Sequence, residues 1–326
     1  MTSSVGIDVS KAKIDMLWLK DRESGKVKSK VFPNDRAGHR DLVAWLDKHI
    51  AQPHEDIHVV MEATGVYHEA LAYWLFEQGL KVSVVNPAYV RDFARSLGSV
   101  HKTDKKDSFV LALYGVQACP GLWQPEPQSI RELKALLARL EALETDLQRE
   151  LNRQEKAQIS QASTVVLESL GKMIVELQRE RDRVDQEIDD HIDRHPDLKN
   201  DVALLKSIPG IGRVVSRLML SVIRSRDFKA ASECAAFVGV IPALRESGIL
   251  RGRSFLSKKG SPKVRAKLYM AAIVAGQYNP TIKAQQERLM RNGKTKMQAL
   301  GAAMRKLVHL CFGVLKHQTA YSPQAA

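Results

Sequence analysis

The first 127 residues alternate between short apolar runs and longer segments with apolar residues at helical spacing. Short apolar runs between turn signals are typical of strands, whereas apolar residues three and four positions apart predict helices. The pattern predicts strands at 4–10, 14–19, 28–32, 57–61 and 80–85, and helices at 36–50, 66–77, 88–97 and 104–117. Because helices separate the later strands, we expect an α/β domain over 1–127 with a mixed sheet that has parallel members.

The middle of the chain has a different pattern. Within 128–199, apolar residues recur at steps of three and four in two stretches, on either side of a polar, glutamine-rich segment at 152–164. This spacing predicts two long amphipathic helices whose apolar stripes need a partner. We expect a helical connector, either a coiled-coil hairpin within one chain or a seam between two chains.

Charge separates the two ends of the protein. The net charge is +13, but residues 204–326 hold 22 Lys and Arg against 4 Asp and Glu, so the preceding residues are slightly acidic. The pattern in 200–326 is mostly helical, with a Gly-, Ser- and Lys-rich loop predicted at 246–262. A basic region this segregated indicates a polyanionic partner, and nucleic acid is the obvious one. A merely solubilising surface is the alternative.

Composition excludes several classes of protein. Hydrophobic residues make up 44% and charged residues 27%, as in folded globular proteins. The chain has no uninterrupted apolar run approaching ~18 residues and no signal-peptide pattern. Its cysteines, Cys119, Cys234 and Cys311, are far apart, which argues against a disulfide framework or a zinc cluster. We expect a protein of the reducing cytoplasm.

Four acidic residues form the first candidate site. Asp8 lies inside an apolar strand, where an unpartnered carboxylate is costly, and Glu62 follows another strand. Asp104 and Asp107 share one face of a predicted helix. If that helix crosses neighbouring first and fourth strands, the four like charges converge and need a cation. Oxygen ligands favour Mg²⁺, with Mn²⁺ as the alternative. Helix capping by Asp104 and a dipole interaction of Asp107 are the local alternatives, and Asp15 is a competing acid.

The second candidate site is a turn between predicted helices at 201–206 and 214–223, with the sequence KSIPGIGR from Lys206. A Pro-Gly-x-Gly turn before a helix exposes backbone N–H groups, which suits phosphate binding. The turn is similar to the hairpin of helix-hairpin-helix DNA-binding modules. The predicted nucleic-acid contacts are Lys206, Gly210, Gly212 and Arg213. A plain tight turn is the alternative.

The third candidate site is a basic loop around Ser247. A serine among arginines suits a nucleophile whose phosphate ester is stabilised by guanidinium groups. The predicted nucleic-acid contacts of this region are Arg245, Arg251, Arg253, Lys258 and Lys259. By composition alone, a phosphate-contacting loop with a bystander serine is the simpler interpretation, and Ser254 and Ser257 compete for any nucleophilic role.

Seven motifs in order along the chain resemble those of the DEDD transposases of the insertion-sequence 110 family. They are VGIDVSKAKID from Val5, MEATGVYHE from Met61, HKTDKKDSFVLA from His101, SIPGIG from Ser207, AAFVGVIP from Ala235, ESG from Glu246 and SKKGSPKVRAKLYMAA from Ser257. The resemblance implies a RuvC-like, RNase H-type domain at 1–127, a coiled-coil connector at 128–199 and a transposase domain at 200–326. By motif position, the acids correspond to Asp8, Glu62, Asp104 and Asp107, and the catalytic serine to Ser247.

The resemblance also implies a bacterial DNA recombinase guided by a bridge RNA and associated with the nucleoid when active. DNA, both donor and target, and a guide RNA are the expected partners. The alternatives are a Holliday-junction-type metal-dependent nuclease, a site-specific DNA invertase that shares the motifs, and a non-catalytic nucleic-acid-binding scaffold. Because recombination joins two duplexes, we expect at least a dimer, and a tetramer on DNA, in which the acids of one chain act with Ser247 of another.

Overall fold

The computed structural model describes residues 2–21, 24–63, 65–97, 104–247 and 250–323, and its description of side chains omits 104–106, 244–247 and 250–254. The chain divides into two compact units, Met1–Pro125 and Glu126–Ala326. Each unit has a hydrophobic core of its own.

The first unit alternates strands and helices after an initial run of three strands. Its strands are β1 (Ser3–Val9), β2 (Lys13–Leu19), β3 (Val27–Pro33), β4 (Ile57–Glu62) and β5 (Lys81–Val85). Its helices are α1 (Arg36–His49), α2 (Glu69–Glu77), α3 (Pro87–Ser96) and α4 (Asp104–Ala118).

The five strands form one mixed sheet in the order β3-β2-β1-β4-β5. β2 is antiparallel to both of its neighbours, whereas β1, β4 and β5 run parallel to one another. The hairpin turns between the first three strands allow antiparallel pairing, and the helices before β4 and β5 return the chain for parallel pairing. The predicted α/β fold with a mixed sheet is confirmed.

The two faces of the sheet pack against different helices. Ile7 and Met61 lie on the face whose core includes Leu42 of α1 and Leu71 of α2. The opposite face carries Gly6, where α4 approaches the strand so closely that a Cβ atom would overlap the Ser108 carbonyl oxygen. The absence of a side chain at this position therefore lets α4 pack directly on the central strand.

We expect Gly6→Ala to lower the free energy of unfolding by about 1–3 kcal/mol, because the added methyl group meets helix backbone rather than a mobile side chain. Urea denaturation of the full chain measures the change. The matched control is Gly121→Ala, where an added Cβ meets no atom within 4 Å and the expected change is within about 0.5 kcal/mol. Equal midpoints for both variants would contradict the close helix–strand contact.

The second unit is mostly helical. Its helices are α5 (Gln128–Ile159), α6 (Thr164–Arg194), α7 (Pro196–Lys206), α8 (Arg213–Ile223), α9 (Ala231–Val238), α10 (Pro262–Tyr278), α11 (Pro280–Arg291) and α12 (Lys296–His317). A two-stranded sheet is formed by β6 (Pro242–Ser247) and β7 (Leu250–Leu256).

The two longest helices, α5 and α6, pack against each other as a helical hairpin. A ring nitrogen of the buried His191, near the end of α6, bonds to the carbonyl oxygen of Ser129 at the start of α5, at 2.8 Å. The base of the hairpin joins the core of the second unit, where Ile130 and Leu133 of α5 and Ile188 of α6 are buried. Toward the other end, Val165 and Met173 of α6 are exposed. Part of each predicted apolar stripe is thus buried within the chain.

The segment predicted as a loop at 246–262 is largely a β-hairpin. β6 and β7 pair antiparallel, with Pro242 opposite Leu256 and Arg245 opposite Arg253, and the ladder is irregular between Arg245 and Ser247. Glycine and serine in LRGRSFL masked the strand pattern, because neither residue favours strands by itself. Pairing with β6 instead gives hydrogen-bond partners to the backbone groups of β7 that face β6.

Within the described ranges of the chain, none of the helices is both long enough and apolar enough to cross a membrane.

Candidate acidic active site and nucleic-acid interface

Two of the predicted acids lie on adjacent parallel strands. Asp8 belongs to β1, and Glu62 is the last residue of β4. The register pairs Ile7 with Met61, so the next residue of each strand is an acid. Carboxyl ends of parallel strands meet at one edge of a sheet. The fold therefore brings Asp8 and Glu62 to the same edge, and both are partly exposed there.

Both acids also belong to the face of the sheet that α4 covers. Side chains on one strand alternate between faces, so residues two apart share a face. Asp8 is two residues beyond Gly6, against which Ser108 of α4 packs, and Glu62 is two beyond Val60, whose side chain lies against Gly115 of α4. The register and the packing thus place the two acids on the α4 face.

Helix α4 runs against the direction of β1 and β4. Ser108 contacts the middle of β1, whereas Ala112 accepts a hydrogen bond from Ser4 Oγ at 2.7 Å, near the start of that strand. The first turn of α4, which begins at Asp104 and includes the partly buried Asp107, consequently lies toward the edge where β1 ends. The side chain of Asp104 is outside the described part of the structure.

The chemistry of these donors fits a hard divalent cation, because all four are carboxylates. Among the side chains that the structure describes, no three acids, histidines or cysteines already form a metal-binding group. What the fold itself provides is backbone placement, since Asp8, Glu62 and the start of α4 lie at one edge of a sheet. These residues would hold Mg²⁺ or Mn²⁺.

The competing acid Asp15 lies directly opposite Asp8 on β2. Lys13 approaches it, with Nζ 3.1 Å from Asp15 Oδ2. Like charges directly across a strand pair are destabilising, and an ammonium group beside one of them reduces the repulsion. The ion pair with Lys13 therefore explains how the Asp15 carboxylate can lie next to Asp8 without a bound metal.

The predicted phosphate-binding turn lies between α7 and α8. Gly210 has a φ of +100°, a conformation that favours glycine. The turn packs against α10, since a Cβ atom at Gly210 would lie 2.6 Å from Ala275 Cβ. Gly212 caps α8 without a side-chain hydrogen bond, and both Gly212 and Lys206 are exposed. An exposed helix start of this kind can accept an anion.

Arg213, predicted to contact nucleic acid, is ion-paired within the protein. Its guanidinium lies 2.8 Å from Asp185 and 2.5 Å from Asp189, both on α6. The hydrogen bond that the Arg213 guanidinium donates to Asp189 raises the pKa of Arg213. Arg217, one turn further along α8 and only 3% exposed, pairs with the same two aspartates. These contacts give Arg213 a role in joining α8 to α6, which the turn motif alone did not predict.

The serine and arginine positions of the third candidate site lie on the β6–β7 hairpin. Ser247 ends β6 opposite Leu250, and Arg245 lies opposite Arg253. Arg251 belongs to β7. The side chains of these residues are outside the described part.

The residues just after β7 are described. Lys258 and Lys259 are both exposed, and the competing Ser257 accepts a hydrogen bond from the backbone N–H of Lys259 at 3.4 Å.

A further polar group near the acidic edge was missed at the sequence level. Asn34, just after β3, donates hydrogen bonds to the backbone carbonyl oxygens of Ser10 and Tyr67. The buried His39 forms a hydrogen bond with its side chain, with Nε2 2.9 Å from Asn34 Oδ1. Burial lowers the pKa of His39, against an opposing effect of Asp35. No local signal identifies this group, because its partners are distant in sequence.

Comparison with known proteins matches both units to transposases. The IS110 DEDD transposase domain matches residues 5–158, and the transposase domain of the IS116/IS110/IS902 family matches residues 202–287. The pilin gene-inverting proteins of Moraxella bovis and Moraxella lacunata are each 32% identical to the chain over 321 residues, covering 97% of both chains in each case.

Among solved structures, the chain shows a weak likeness to T. thermophilus RuvC in complex with a Holliday junction substrate. That likeness has 15% identity and a TM-score of 0.26, and it covers 37% of this chain and all of the RuvC chain. The two transposase-domain matches, together with the relatives that match over 97% of the chain, carry the assignment instead. They place the protein among the DEDD transposases, a class of proteins that recombine DNA. The chain belongs to the IS110 family of that class.

Proposed function

We propose that the protein cuts and rejoins DNA strands with a metal-dependent acidic site and a serine nucleophile. The observation that carries this proposal is the placement of Asp8, Glu62 and the start of α4 at one edge of the sheet, in a chain that belongs to the transposase family. The strand order and the helix across β1 also support the RuvC-like, RNase H-type assignment of this domain.

In this proposal, Asp8, Glu62, Asp104 and Asp107 bind Mg²⁺ or Mn²⁺, which when bound supplies the positive charge that polarises a scissile phosphate. The sheet and α4 contribute rigidity. Parallel pairing sets the spacing between the ends of β1 and β4, and the close contact at Gly6 sets the position of the helix start. Sites built on strands and helices hold their side chains more accurately than sites on loops.

Ser247 provides the attacking oxygen in the proposed reaction. Its Oγ forms a bond to phosphorus while the phosphorus–oxygen bond to the leaving sugar breaks. The hydroxyl proton passes to solvent, and the departing sugar oxygen takes up a proton. Attack on the phosphoserine ester by the hydroxyl group of another strand reverses these steps and frees Ser247. The ester conserves the bond energy, so rejoining requires no external energy source.

The basic region is proposed to bind nucleic acid, both DNA and a bridge RNA. Support comes from the net positive charge of residues 204–326 and from the exposed Lys206, Gly212, Lys258 and Lys259. Contacts from such groups to the phosphates of a nucleic acid position it without reading its base sequence. A guide RNA would supply the sequence information by base pairing, as it does in other RNA-guided systems.

Site-specific inversion is the outcome that the comparisons favour over transposition, since the relatives that match over 97% of the chain are named pilin gene-inverting proteins. Both outcomes use the same cutting and rejoining steps. They differ in the arrangement of the two DNA sites rather than in the chemistry. A nuclease in which water attacks and Ser247 is idle is the second enzymatic candidate.

Assembly into at least a dimer, and a tetramer on DNA, is part of the proposal. Exchange between two duplexes requires several cleavage centres, and part of the apolar surface of α6, including Val165 and Met173, is exposed in the single chain. A second chain can cover such a surface. We propose that the acids of one chain act with Ser247 of another.

The test begins with sequencing of the RNA that copurifies with the full-length protein. A supercoiled plasmid then receives two sites complementary to that RNA. We expect inversion or exchange between the sites only when protein, RNA and Mg²⁺ are all present. Recombination without RNA would reject guidance, and cut but never rejoined DNA would favour the nuclease.

A further inference from the structure

Two loops leave the acidic edge of the sheet, and each follows a strand that carries one of the acids. The turn 10–13 connects β1, which contains Asp8, to β2. The loop 63–68 leads from Glu62 to α2. The turn is tight, because Ser10 N and Ser10 Oγ both donate to the Lys13 carbonyl oxygen at 2.9 Å. In the second loop, the described residues Gly65–Tyr67 are exposed.

Asn34 bonds to both of these loops at once. Its amide nitrogen Nδ2 donates to the carbonyl oxygen of Ser10 at 2.9 Å and to that of Tyr67 at 3.0 Å. A primary amide has two N–H groups, so one side chain can serve both carbonyl oxygens. Ser10 is two residues beyond Asp8, and Tyr67 is five residues beyond Glu62. A single side chain therefore bridges the segments that follow the two acids.

The position of Asn34 is itself held from two sides. Its backbone N–H donates to the carbonyl oxygen of Ala12 at 3.0 Å, which attaches it to the β1–β2 turn. Because the Asn34 amide nitrogen faces two carbonyl oxygens, its oxygen Oδ1 accepts from His39 Nε2 at 2.9 Å. His39 is only 5% exposed, on the first turns of α1. A buried ring thus fixes the orientation of the amide.

We propose that Asn34 is a positioning residue for the acidic site, and that His39 orients it. The inference rests on the proposed function. Asn34 touches neither metal nor DNA in this assignment. By joining the loops that follow β1 and β4, beyond the last paired residues Ile7 and Met61, it holds the chain around Asp8 and Glu62 in the arrangement that lets both act on the same cation. Residues that hold metal ligands in position without binding the metal themselves commonly change metal affinity by 10–100-fold. The stability of the sheet, by contrast, depends mainly on its hydrogen-bonded ladders and its core.

The experiment measures binding of Mn²⁺ alone to the full-length protein, by electron paramagnetic resonance of the free ion. We expect Asn34→Ala and Asn34→Leu to raise the Mn²⁺ dissociation constant by about tenfold. Leucine has a similar size but cannot donate, so equal losses in the two variants indicate the missing N–H groups rather than a cavity. Thermal unfolding without metal checks that each variant folds.

The matched control is Asn86→Ala. Asn86 also follows a strand at this sheet edge, but its side chain caps α3 by accepting a hydrogen bond from Ala88 N. We expect its Mn²⁺ affinity to stay within about twofold of the wild type. The pair His39→Gln and His39→Leu tests the orienting role. Glutamine keeps a donor that can reach Asn34 and is expected to retain binding, whereas leucine is expected to lose it.

The two proposals fail in different ways. A wild-type protein that binds no Mn²⁺ overturns the metal-dependent function together with the role of Asn34. A wild-type protein that binds Mn²⁺ while both Asn34 variants bind it equally well overturns only the positioning role. If the Asn34 variants do not fold, loss of Mn²⁺ binding by folded His39→Leu with retention by His39→Gln supports the proposal, and equal binding by both refutes it.

Discussion

Asp8→Asn is expected to reduce DNA strand cleavage in Mg²⁺ by about a thousandfold or more. Asparagine keeps the size of the side chain and removes its charge. Loss of one charged metal ligand costs several kcal/mol of transition-state stabilisation, and each 1.36 kcal/mol is about a factor of ten in rate. The fold should survive, because the pairing of β1 with β2 and β4 uses backbone groups that the substitution leaves in place.

The measurement is single-turnover cleavage of a labelled substrate, with nucleic-acid affinity determined in parallel without metal. The matched control is Asp15→Asn. Asp15 lies directly opposite Asp8 and pairs with Lys13, so its loss should leave most of the cleavage rate. Wild-type cleavage by Asp8→Asn would remove Asp8 from the site, and an inactive Asp15→Asn beside an active Asp8→Asn would transfer the role to Asp15.

Ser247→Ala is expected to abolish the covalent protein–DNA adduct and strand exchange, again with a loss of about a thousandfold or more. Alanine cannot form the phosphoester, and no other step supplies a bond from which the strands could be rejoined. Denaturing gel electrophoresis of protein with end-labelled DNA measures the adduct directly. Binding to nucleic acid should change little, because one hydroxyl group contributes little to an interface dominated by phosphate contacts.

Two neighbouring serines serve as controls for this prediction. Ser254 lies on β7, and Ser257 follows that strand. Ser254→Ala and Ser257→Ala should both still form the adduct. An adduct that persists in Ser247→Ala and disappears in either control would reassign the nucleophile. Cleavage without an adduct in the wild type would instead indicate that water attacks.

Mixing the two inactive variants connects these predictions. If the acids of one chain act with the serine of another, a mixture of Asp8→Asn and Ser247→Ala should recover part of the cleavage, because some pairings then contain an intact aspartate and an intact serine. Absence of recovery, in mixtures shown to contain mixed oligomers, would mean that each chain supplies its whole site.

Local patterns predicted most elements of the fold because helix and strand periodicity depends on residues only a few positions apart. All five strands of the sheet were expected close to where they occur. The two long helices were also expected, but α5 continues to Ile159, through most of the polar segment at 152–164 that was predicted to separate them. The β6–β7 hairpin was not, since its strands contain Gly252 and charged residues, and its stability comes from pairing between the two strands.

The sequence also predicted the acidic site, because a carboxylate inside an apolar strand is costly unless it has a partner. It could not by itself determine that β1 lies beside β4, or that α4 runs against them so that its first turn lies toward the edge where Asp8 and Glu62 lie. These relations depend on which distant segments bury each other best. The contact at Gly6 depends on the shape of a helix more than 100 residues away.

Tertiary structure likewise decided the roles of several polar residues. Arg213 reads as a phosphate contact in its motif, yet its charge is paired with Asp185 and Asp189 on another helix. Asn34 carries no motif, yet it bridges the two loops that follow Asp8 and Glu62. The sequence specifies which side chains can donate or accept, but hydrogen bonds and ion pairs form only between groups about 3 Å apart. Which groups come within that distance is determined only when the chain folds.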